Sequence, residues 1–458
     1  MLPKTFKNKK IAIFGLGIEG IDLVKYLSEE KAIITIFDQK EKIKLNKAFA
    51  EIKKYKINAF HKEIDNINFK NFDWAFISQG IPLNSTYLEP IYNNNIPLSS
   101  MTDLFFNRCI SPIVGISGSS GKTTTTSMVD SILKEANANY SIGGNIGIGL
   151  LGLINKINND TKVITELSHS QLQLLSKNPS ISCITNITPN HLDNFSWEEY
   201  VSLKKRITIF QNKDDHLILN KEDTVSNQFI NETKAQISYF SIKNKVEKGA
   251  YLDKNGFLCS VNNDTEIQIM HVDEIKVRGK HNIYNALAAI SITSLLNIDA
   301  VSCRQGIIQF QGVDHRIKTI LVKNNVEFIN DSIATTPERT NTGLKALDKD
   351  VILLLGGRDK NLEFGDLIAT IQKKCKAVIV FGESRKKFIQ ELTNKKITMY
   401  EEQTLEKATI LACKIAIAGD CVFLSPGATS FDEFENFSQR GDKFKHYVTD
   451  FFQISDKG

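Results

Sequence analysis

The sequence predicts an α/β protein made of several domains, for three reasons. Short apolar runs alternate with helical stretches near the start of the chain, and this alternation returns after about residue 313. Between these regions, residues 114–126 form a Gly-rich turn that joins an apolar run to a helix. A chain of 458 residues is also too long for one ordinary domain. We therefore expect mostly parallel sheets with binding loops at their carboxyl ends.

The composition is that of an ordinary globular protein. Hydrophobic residues make up 41% of the chain and charged residues 24%. The net charge of +5 is small and the lysines are spread along the chain, which argues against a nucleic-acid-binding surface. There is no run of 18 apolar residues, no signal-peptide pattern and no C-x-x-C pair among the seven cysteines. We expect a cytoplasmic protein with reduced thiols and with no membrane or nucleic-acid partner.

Residues 10–38 follow the βαβ pattern of a dinucleotide-binding fingerprint. An apolar strand leads into Gly15, Gly17, Gly20 and a helix, and a second strand ends on Asp38. Such patterns often occur without NAD, so this one predicts only a nucleotide or nucleotide-sugar phosphate near Gly17 and a ribose or base near Asp38.

A further strand precedes the loop at residues 78–82, where a doubly wound sheet places ligand loops. The polar stretch at 93–97 then indicates a domain boundary near residue 100.

The Gly-rich turn has the residues of a phosphate-binding loop. Gly118 and Gly121 let backbone N–H groups face an anion, Lys122 supplies positive charge and Thr123 can hold Mg²⁺. The spacing is G-x-x-G-K-T, without the first glycine of the general pattern. A plain strand-to-helix turn would not need a lysine followed by four threonines, which are mediocre helix formers. The loop therefore predicts ATP binding.

Polar side chains follow the next two strands. Glu166 ends one strand, and a carboxylate beside a phosphate loop is where Mg²⁺ obtains a protein ligand, although a solvated glutamate would be the default without the loop. His191 follows the other strand, where a lone histidine is only suggestive. The helix predicted over 196–207 begins with Ser196 and Glu199 at capping-box spacing.

The remaining regions carry fewer signals. Residues 211–275 are polar and hairpin-like, with a turn at 253–256. Asn285 lies near the start of an Ala-rich helix, where its side chain could bracket an adenine or cap the helix. The stretches at 328–337, 354–360 and 423–437 each follow an apolar strand of the last region and carry polar loops. Because such loops meet at one sheet edge, we expect them to form a small polar substrate site.

These motifs, in this order, resemble the Mur ligase family along the whole chain. The matching residues are the phosphate loop at 118–123, Gly143–Gly147, Glu166–Ser168, Asn190–Asp193, His281, Asn282, Asn285, His315, Arg316, Asn330–Ser332 and Ser425–Phe437. The resemblance implies a Rossmann-like domain for a UDP-sugar at 1–100, a central P-loop ATPase domain at 101–312 and a Rossmann-like amino-acid-binding domain at 313–458. It also implies a monomer that uses ATP and two Mg²⁺ ions.

The implied reaction is the addition of glutamate to UDP-N-acetylmuramoyl-L-alanine in peptidoglycan synthesis, through an acyl phosphate. The resemblance assigns catalytic roles to Lys122, His191, Lys204 and Lys360, and metal ligation to Thr123, Glu166, His191 and Lys204 as a carbamate. It assigns ATP binding to Gly118, Ser119, Ser120, Gly121, Lys122, Thr123, Thr124, Asn285, Arg316 and Asp331. It assigns UDP-sugar binding to Gly17, Ile18, Asp38, Gln39, Ser78, Gly80, Asn145 and His191, and glutamate binding to Thr335, Lys360, Ser430 and Phe437.

The chain departs from the common family pattern in the run Ser332-Ile333-Ala334-Thr335-Thr336, where a lysine usually stands at the second position. This version resembles members that add L-glutamate, whereas Lys360 fits the D-glutamate pattern. The sequence thus favours D-glutamate, with L-glutamate as the alternative.

Two other classes of protein compete with this assignment. A folylpolyglutamate synthase would lack the N-terminal fingerprint. The fingerprint does not exclude a sibling ligase that adds a diamino acid. A non-catalytic nucleotide-gated binding protein would have no use for three converging substrate loops.

Overall fold

The structure, a computed structural model, describes residues 2–146, 149–189, 195–262, 265–277, 279–359, 363–393 and 395–455. The strands are β1 (Lys10–Phe14), β2 (Ile33–Phe37), β3 (Ala59–His61), β4 (Trp74–Ile77), β5 (Leu98–Ser100), β6 (Ile113–Ser117), β7 (Tyr140–Gly144), β8 (Lys162–Glu166), β9 (Ile181–Ile184), β10 (His216–Asn220), β11 (Gln236–Ser241), β12 (Gly249–Leu252), β13 (Phe257–Asn262), β14 (Thr265–His271), β15 (Lys318–Lys323), β16 (Val326–Asn330), β17 (Val351–Gly356), β18 (Cys375–Phe381), β19 (Met399–Glu401) and β20 (Cys421–Gly427).

The α-helices are α1 (Ile18–Glu29), α2 (Asn46–Ile52), α3 (Glu89–Asn93), α4 (Met101–Arg108), α5 (Lys122–Glu135), α6 (His169–Leu172), α7 (Trp197–Lys205), α8 (Thr224–Asn227), α9 (Lys280–Leu295), α10 (Ala300–Gln309), α11 (Pro337–Lys345), α12 (Leu367–Lys374), α13 (Arg385–Leu392), α14 (Leu405–Ile415) and α15 (Phe437–Ser455). Among the described residues, none of these helices is both long and apolar enough to cross a membrane.

Three sheets confirm the predicted α/β class. The first has the strand order β3-β2-β1-β4-β5, with all strands parallel. The second has the order β14-β13-β12-β11-β10-β9-β6-β8-β7, and the third β15-β16-β20-β17-β18-β19. In each sheet the strands that precede the predicted binding loops are direct neighbours, so those loops share an edge.

The first βαβ unit forms because its apolar pattern matches the geometry of each element. Strand β1 is buried from Ile11 to Phe14 between β2 and β4. Helix α1 then buries Gly20, Leu23, Val24 and Leu27, a spacing that places one apolar stripe against the sheet. The chain continues to β2 on one side of β1 and later to β4 on the other, which creates a crevice at the carboxyl end of β1.

The second sheet differs in one respect from the sequence-based expectation. Residues 211–275 were expected to be hairpin-like, but β10, β11 and β12 continue the parallel sheet. Only β12, β13 and β14 pair in antiparallel fashion, and the turn expected at 253–256 joins the first two of them. The expectation was wrong for β10 and β11 because short apolar strands do not reveal the direction of their partners.

The chain divides into two compact units. The first contains the residues up to Lys276 and Lys280–Phe310, and thus both the first and the second sheet. One hydrophobic cluster runs through it, from β1 and β2 through α4 to β6, β8, β9 and β10. The second unit contains the residues from Gln311 onward and has a hydrophobic cluster on each face of its sheet.

The fingerprint glycine Gly20 should stabilise the first βαβ unit. A Cβ atom at this position would lie 2.0 Å from the carbonyl oxygen of Gly15, which belongs to the backbone and cannot move aside cheaply. We expect Gly20→Ala to cost about 1–3 kcal/mol or more and to lower the melting temperature by roughly 3–10 °C. Gly17→Ala is the matched control, because a Cβ there meets nothing within 4 Å and φ is −82°. Equal melting temperatures for the two variants in calorimetry would contradict this packing.

Candidate active site

The phosphate loop is shaped by two glycines in the left-handed region. Gly118 has φ of +140° and Gly121 has φ of +85°, and α5 begins directly after Gly121. A Cβ at Gly118 would lie 2.0 Å from Thr185 Oγ1, and one at Gly121 would lie 2.5 Å from Asn285 Oδ1. Glycine is therefore required here by both conformation and space.

Residues at the end of β9 hold this loop in place. Ser119 N donates to the carbonyl of Asn186 at 2.8 Å, and Ser120 N donates to Asn186 Oδ1 at 3.0 Å. Thr185 Oγ1 donates to the carbonyl of Ser120 at 2.6 Å. Thr185 and Asn186 were not among the residues predicted from the sequence. The available signal was that these polar residues follow a buried strand, but only the pairing of β9 with β6 places them beside the loop.

The predicted phosphate-binding side chains lie at the start of α5. The Lys122 ammonium donates to the carbonyls of Gly118 at 2.9 Å and Ser119 at 3.0 Å, so it lies over the loop. Thr123 is half-buried in the first turn of α5, and Thr124 is buried beside it. The helix N-terminus adds backbone N–H groups and a positive dipole end to the same place. The arrangement is that of an anion-binding loop.

Glu166 ends β8 next to the strand that leads into the phosphate loop. Its side chain is buried, and Oε1 accepts a hydrogen bond of 2.9 Å from Asn145 Nδ2. Oε2 is buried and accepts no hydrogen bond from any described residue. Gly144 has φ of +101°, and a Cβ there would lie 2.3 Å from the Glu166 carbonyl oxygen. Glycine at this position therefore lets the ends of β7 and β8 lie close together. A buried carboxylate oxygen without a partner is costly unless a ligand fills the position.

Lys204 lies on α7 and is only 1% exposed, which is not the environment of a surface helix lysine. Its ammonium donates to Ser117 Oγ at 3.2 Å and lies 5.7 Å from the centre of the Tyr200 ring. Burial lowers the pKa of Lys204 well below its ordinary value, the nearby Lys122 lowers it further, and Glu166 opposes the shift. Burial at this site thus disfavours the charged ammonium and increases the share of the neutral, nucleophilic amine relative to a lysine in water.

The residues around the phosphate loop include oxygen atoms that suit a metal ion. Among the described residues, no group of three His, Cys, Asp or Glu side chains is placed to hold a metal ion. The oxygens that fit Mg²⁺ are the hydroxyl of Thr123 and Glu166 Oε2, which has no hydrogen-bond partner among the described residues. His191, a predicted ligand, lies outside the described residues. These donors fit an ion that keeps most of its water ligands, as Mg²⁺ does.

Asn285 joins α9 to the phosphate loop. Its Oδ1 accepts a hydrogen bond of 3.3 Å from Thr125 Oγ1, and its Nδ2 donates to Asn282 Oδ1 at 3.0 Å. The same Oδ1 lies against Gly121. The structure thus places this predicted nucleotide residue at the loop itself.

The predicted UDP-sugar residues of the first sheet follow β1, β2 and β4. They are Gly17 and Ile18 after β1, Asp38 and Gln39 after β2, and Ser78 and Gly80 after β4. Asp38 Oδ2 accepts a hydrogen bond of 2.8 Å from Leu16 N, and Ser78 Oγ donates to the Gly15 carbonyl at 3.0 Å. Gly17, Ile18, Gln39 and Gly80 are exposed. The structure brings these residues together at the crevice, whereas Asn145 is engaged with Glu166 in the second sheet.

A buried carboxylate, Glu19, and a half-buried one, Asp22, connect this crevice to the second sheet. Glu19 accepts hydrogen bonds from Gln79 N at 2.9 Å and from Gln171 Nε2 at 3.3 Å. Asp22 accepts from Leu151 N at 2.7 Å and from Gly152 N at 3.1 Å. Burial raises the pKa of both carboxyl groups, and these hydrogen bonds oppose the shift. Sequence spacing does not reveal this connection, because the partners lie between 60 and 152 residues apart in the chain.

The second unit holds the predicted residues Arg316 and Asp331. Asp331 follows β16, is buried, and accepts hydrogen bonds from Ser425 Oγ at 2.8 Å and Ile317 N at 3.2 Å. Burial raises the pKa of Asp331 to about 7, while the hydrogen bonds and the neighbouring Arg316 and Arg339 oppose the shift. Arg316, which directly precedes Ile317 in the chain, is half-buried.

The predicted glutamate-binding residues lie on loops after β16 and β20. Thr335 is half-buried and Ser430 is buried. Phe437 is the first residue of α15, where backbone N–H groups are not used within the helix. Lys360 lies outside the described residues.

A buried arginine that the sequence analysis missed connects these loops. Arg440 is fully buried and donates to the Ser332 hydroxyl and carbonyl, the Ala428 carbonyl and the Gly356 carbonyl. Its position on α15, inside a polar run, gave no sign of burial.

Comparison with known families matches three models along the chain. They are the Mur ligase MurD-like N-terminal domain at residues 9–100, the Mur ligase middle domain at 116–293, and the Mur ligase, glutamate ligase domain at 315–427. Together they span both compact units.

Curated relatives match almost the full chain. A UDP-N-acetylmuramoylalanine–D-glutamate ligase from Acetivibrio thermocellus is 37% identical over 97% of each chain. Proteins of the same name from Clostridium kluyveri and a Thermoanaerobacter species are 35% and 34% identical; the matches span 97% of this chain and 97% and 99% of theirs.

Solved structures show the same fold at lower identity. The alanine ligase MurC of Thermotoga maritima has a TM-score of 0.59 and 19% identity, over 98% of this chain and 100% of its own. A pseudomurein peptide ligase type C from Methanothermus fervidus has a TM-score of 0.56 and 20% identity, over 96% of this chain and 100% of its own. With relatives above one-third identity over nearly its full length, the chain belongs to the Mur ligase family.

Proposed function

We propose that this protein is an ATP-dependent ligase that adds D-glutamate to UDP-N-acetylmuramoyl-L-alanine in peptidoglycan precursor synthesis. The observation that carries the proposal is the phosphate loop with two residues buried beside it: Lys204, whose pKa is lowered, and Glu166, whose Oε2 accepts no hydrogen bond from the described residues. Such a site suits transfer of a phosphoryl group to a carboxylate, because it presents donors and charge where the phosphoryl oxygens would lie.

Each of the three sheets would bind one of the three substrates. We assign residues 1–100 to the UDP-sugar, 101–312 to ATP and 313–458 to the amino acid. The crevice residues Gly17, Ile18, Asp38, Gln39, Ser78 and Gly80 would bind the UDP-sugar, helped by Asn145 and His191. Asn285, Arg316 and Asp331 would contact the nucleotide of ATP.

The chemistry proceeds in two steps. The terminal carboxylate of the muramoyl-alanine takes the γ-phosphoryl group of ATP, which gives an acyl phosphate and ADP. The glutamate amine then attacks the acyl carbon, and phosphate leaves from a tetrahedral intermediate as the amide bond forms. During the first step, Lys122 and the N–H groups of the loop stabilise the negative charge on the moving phosphoryl oxygens.

The residues that would hold two Mg²⁺ ions are Thr123, Glu166, His191 and a carbamate formed on Lys204. Bound Mg²⁺ supplies Lewis-acid polarisation and charge neutralisation at the phosphates. The unpartnered Glu166 Oε2 supports this role. The lowered pKa of Lys204 supports the carbamate, because a neutral amine is the form that combines with CO₂ and a carbamate is an anionic oxygen ligand.

The amino acid would be held by Thr335, Lys360, Ser430 and the backbone N–H of Phe437. The relatives at 34–37% identity are named for D-glutamate, which supports that enantiomer over the L-glutamate suggested by the run around Ile333. We further propose a monomer in the cytoplasm, where ATP and UDP-sugars are available.

A coupled assay tests the substrate assignment. Phosphate release should require ATP, UDP-N-acetylmuramoyl-L-alanine and D-glutamate together, and L-glutamate should be used far less well because a misplaced carboxylate or amine leaves charged partners unpaired. Each enantiomer is supplied separately and free of racemase. Product from L-glutamate alone would overturn the enantiomer, and no response to either would overturn the proposed function.

The Lys122→Ala variant tests the phosphate loop. Loss of the ammonium that lies over Gly118 and Ser119 should lower turnover on the order of 100-fold or more. Lys134→Ala is the matched control, because Lys134 lies exposed near the other end of the same helix. Turnover near that of the wild type in a folded Lys122→Ala variant would refute the role of this loop.

The Lys204→Ala variant tests the carbamate. We expect it to be nearly inactive, with partial recovery in acetate, and to lack a carbamate signal in ¹³C NMR with labelled bicarbonate. Its neighbour Lys205, which pairs with Glu232 on the surface, provides the control variant Lys205→Ala. Full activity without Lys204, or absence of the signal in the wild type, would remove the carbamate from the mechanism.

A further inference from the structure

Arg440 is the largest side chain among the fully buried ones, and it lies where three strand ends meet. We propose that Arg440 is a positioning residue for the amino-acid substrate, in that its guanidinium fixes the loops after β16, β17 and β20 in one arrangement. This inference rests on the proposed function, because it takes these loops to be the glutamate site.

The guanidinium contacts each of the three loops. Nε donates to Ser332 Oγ at 3.0 Å and Nη2 to the Ser332 carbonyl at 2.9 Å, which fixes the loop after β16. Nη1 donates to the Ala428 carbonyl after β20 at 3.0 Å, and makes a longer contact of 3.5 Å with the Gly356 carbonyl at the end of β17. The planar guanidinium, with its five N–H donors, can bind all three loops at once. A lysine ammonium lacks this planar, forked arrangement of donors.

The loops after β17 and β20 also form hydrogen bonds with each other, next to the Arg440 guanidinium. Arg358 and Thr429 exchange two backbone hydrogen bonds of 2.8 and 2.9 Å, which pair the loops after β17 and β20. Gly357, with φ of +129°, makes room for this pairing, because a Cβ there would lie 2.1 Å from the Thr429 carbonyl and 2.9 Å from Arg440 Nη1. Displacing the guanidinium would therefore disturb both loops.

A chain of hydrogen bonds leads from Arg440 to the start of α15. Ser332 Oγ accepts from Arg440 Nε and donates to the Phe437 carbonyl at 2.8 Å. The amide of Phe437 is one of the proposed glutamate contacts. Arg440 thus fixes a glutamate-binding helix terminus as well as the loop that carries Thr335.

The charge of Arg440 also favours an anionic ligand. Its hydrogen bonds run to carbonyl and hydroxyl oxygens, and the acidic side chains of Asp432 and Glu433 act on it only through space. Burial lowers the pKa of Arg440 to about 10, so it remains protonated at neutral pH. A buried positive charge behind the loops adds an attractive potential for the two carboxylates of glutamate.

Kinetics of Arg440→Lys separates positioning from a merely structural role. Lysine keeps the charge and loses the fork, so we expect KM for D-glutamate to rise about tenfold or more while KM for ATP and for the UDP-sugar stays within about twofold. Arg440→Met should raise the glutamate KM further because the charge is also lost. Lys443→Met, which removes an exposed charge three residues along α15, should leave all three constants unchanged.

Ser332→Ala provides an independent test if the arginine variants do not fold. It removes the hydroxyl between Arg440 and Phe437, and it should raise the glutamate KM selectively, by several-fold. ADP formation in a single turnover without glutamate should match the wild type in every folded variant. An unchanged glutamate KM in Arg440→Lys or in Ser332→Ala, or a matching rise for all three substrates, would overturn the proposal. Failure of the proposed function itself would appear instead as a wild-type enzyme without glutamate-dependent turnover.

Discussion

The burial of Lys204 and Glu166 beside the phosphate loop is the constraint on which the rest of the site depends. Lys204 is buried and donates a hydrogen bond to Ser117, while one oxygen of Glu166 accepts no hydrogen bond from any described residue. Ionisable groups in this state cost stability until a ligand or a modification compensates them. A buried lysine with a lowered pKa occurs mainly at functional sites, which is why the position of Lys204 next to an anion-binding loop is informative.

Close backbone packing makes this arrangement possible. The loop at 118–121 touches Thr185 after β9 and Asn285 on α9, and Gly144 lies against the Glu166 carbonyl. At the first sheet, Asp22 and Glu19 extend the same unit by accepting hydrogen bonds from the 151–152 turn and from Gln171. The crevice of the first sheet and the phosphate loop thus lie in one compact unit, whose two sheets share a hydrophobic cluster.

In the second unit, a buried side chain rather than a glycine-rich turn holds the loops in place. The guanidinium of Arg440 donates hydrogen bonds to carbonyl groups from three strand ends. Asp331 is held beside them by Ser425 and the Ile317 amide. In both units, buried residues behind the loops hold the loops in shape.

The sequence by itself determined the α/β class, the phosphate loop, the fingerprint crevice and the strand-end positions of Glu166 and Asp331, because local spacing and apolar runs encode them. It did not reveal that β10 and β11 continue the parallel sheet, since short apolar strands do not specify their partners. Only the tertiary structure decided that Lys204 is buried and Arg440 is central. Both occupy polar helical stretches whose burial depends on elements distant in the chain, and desolvation, which sets their chemistry, has no local sequence signal.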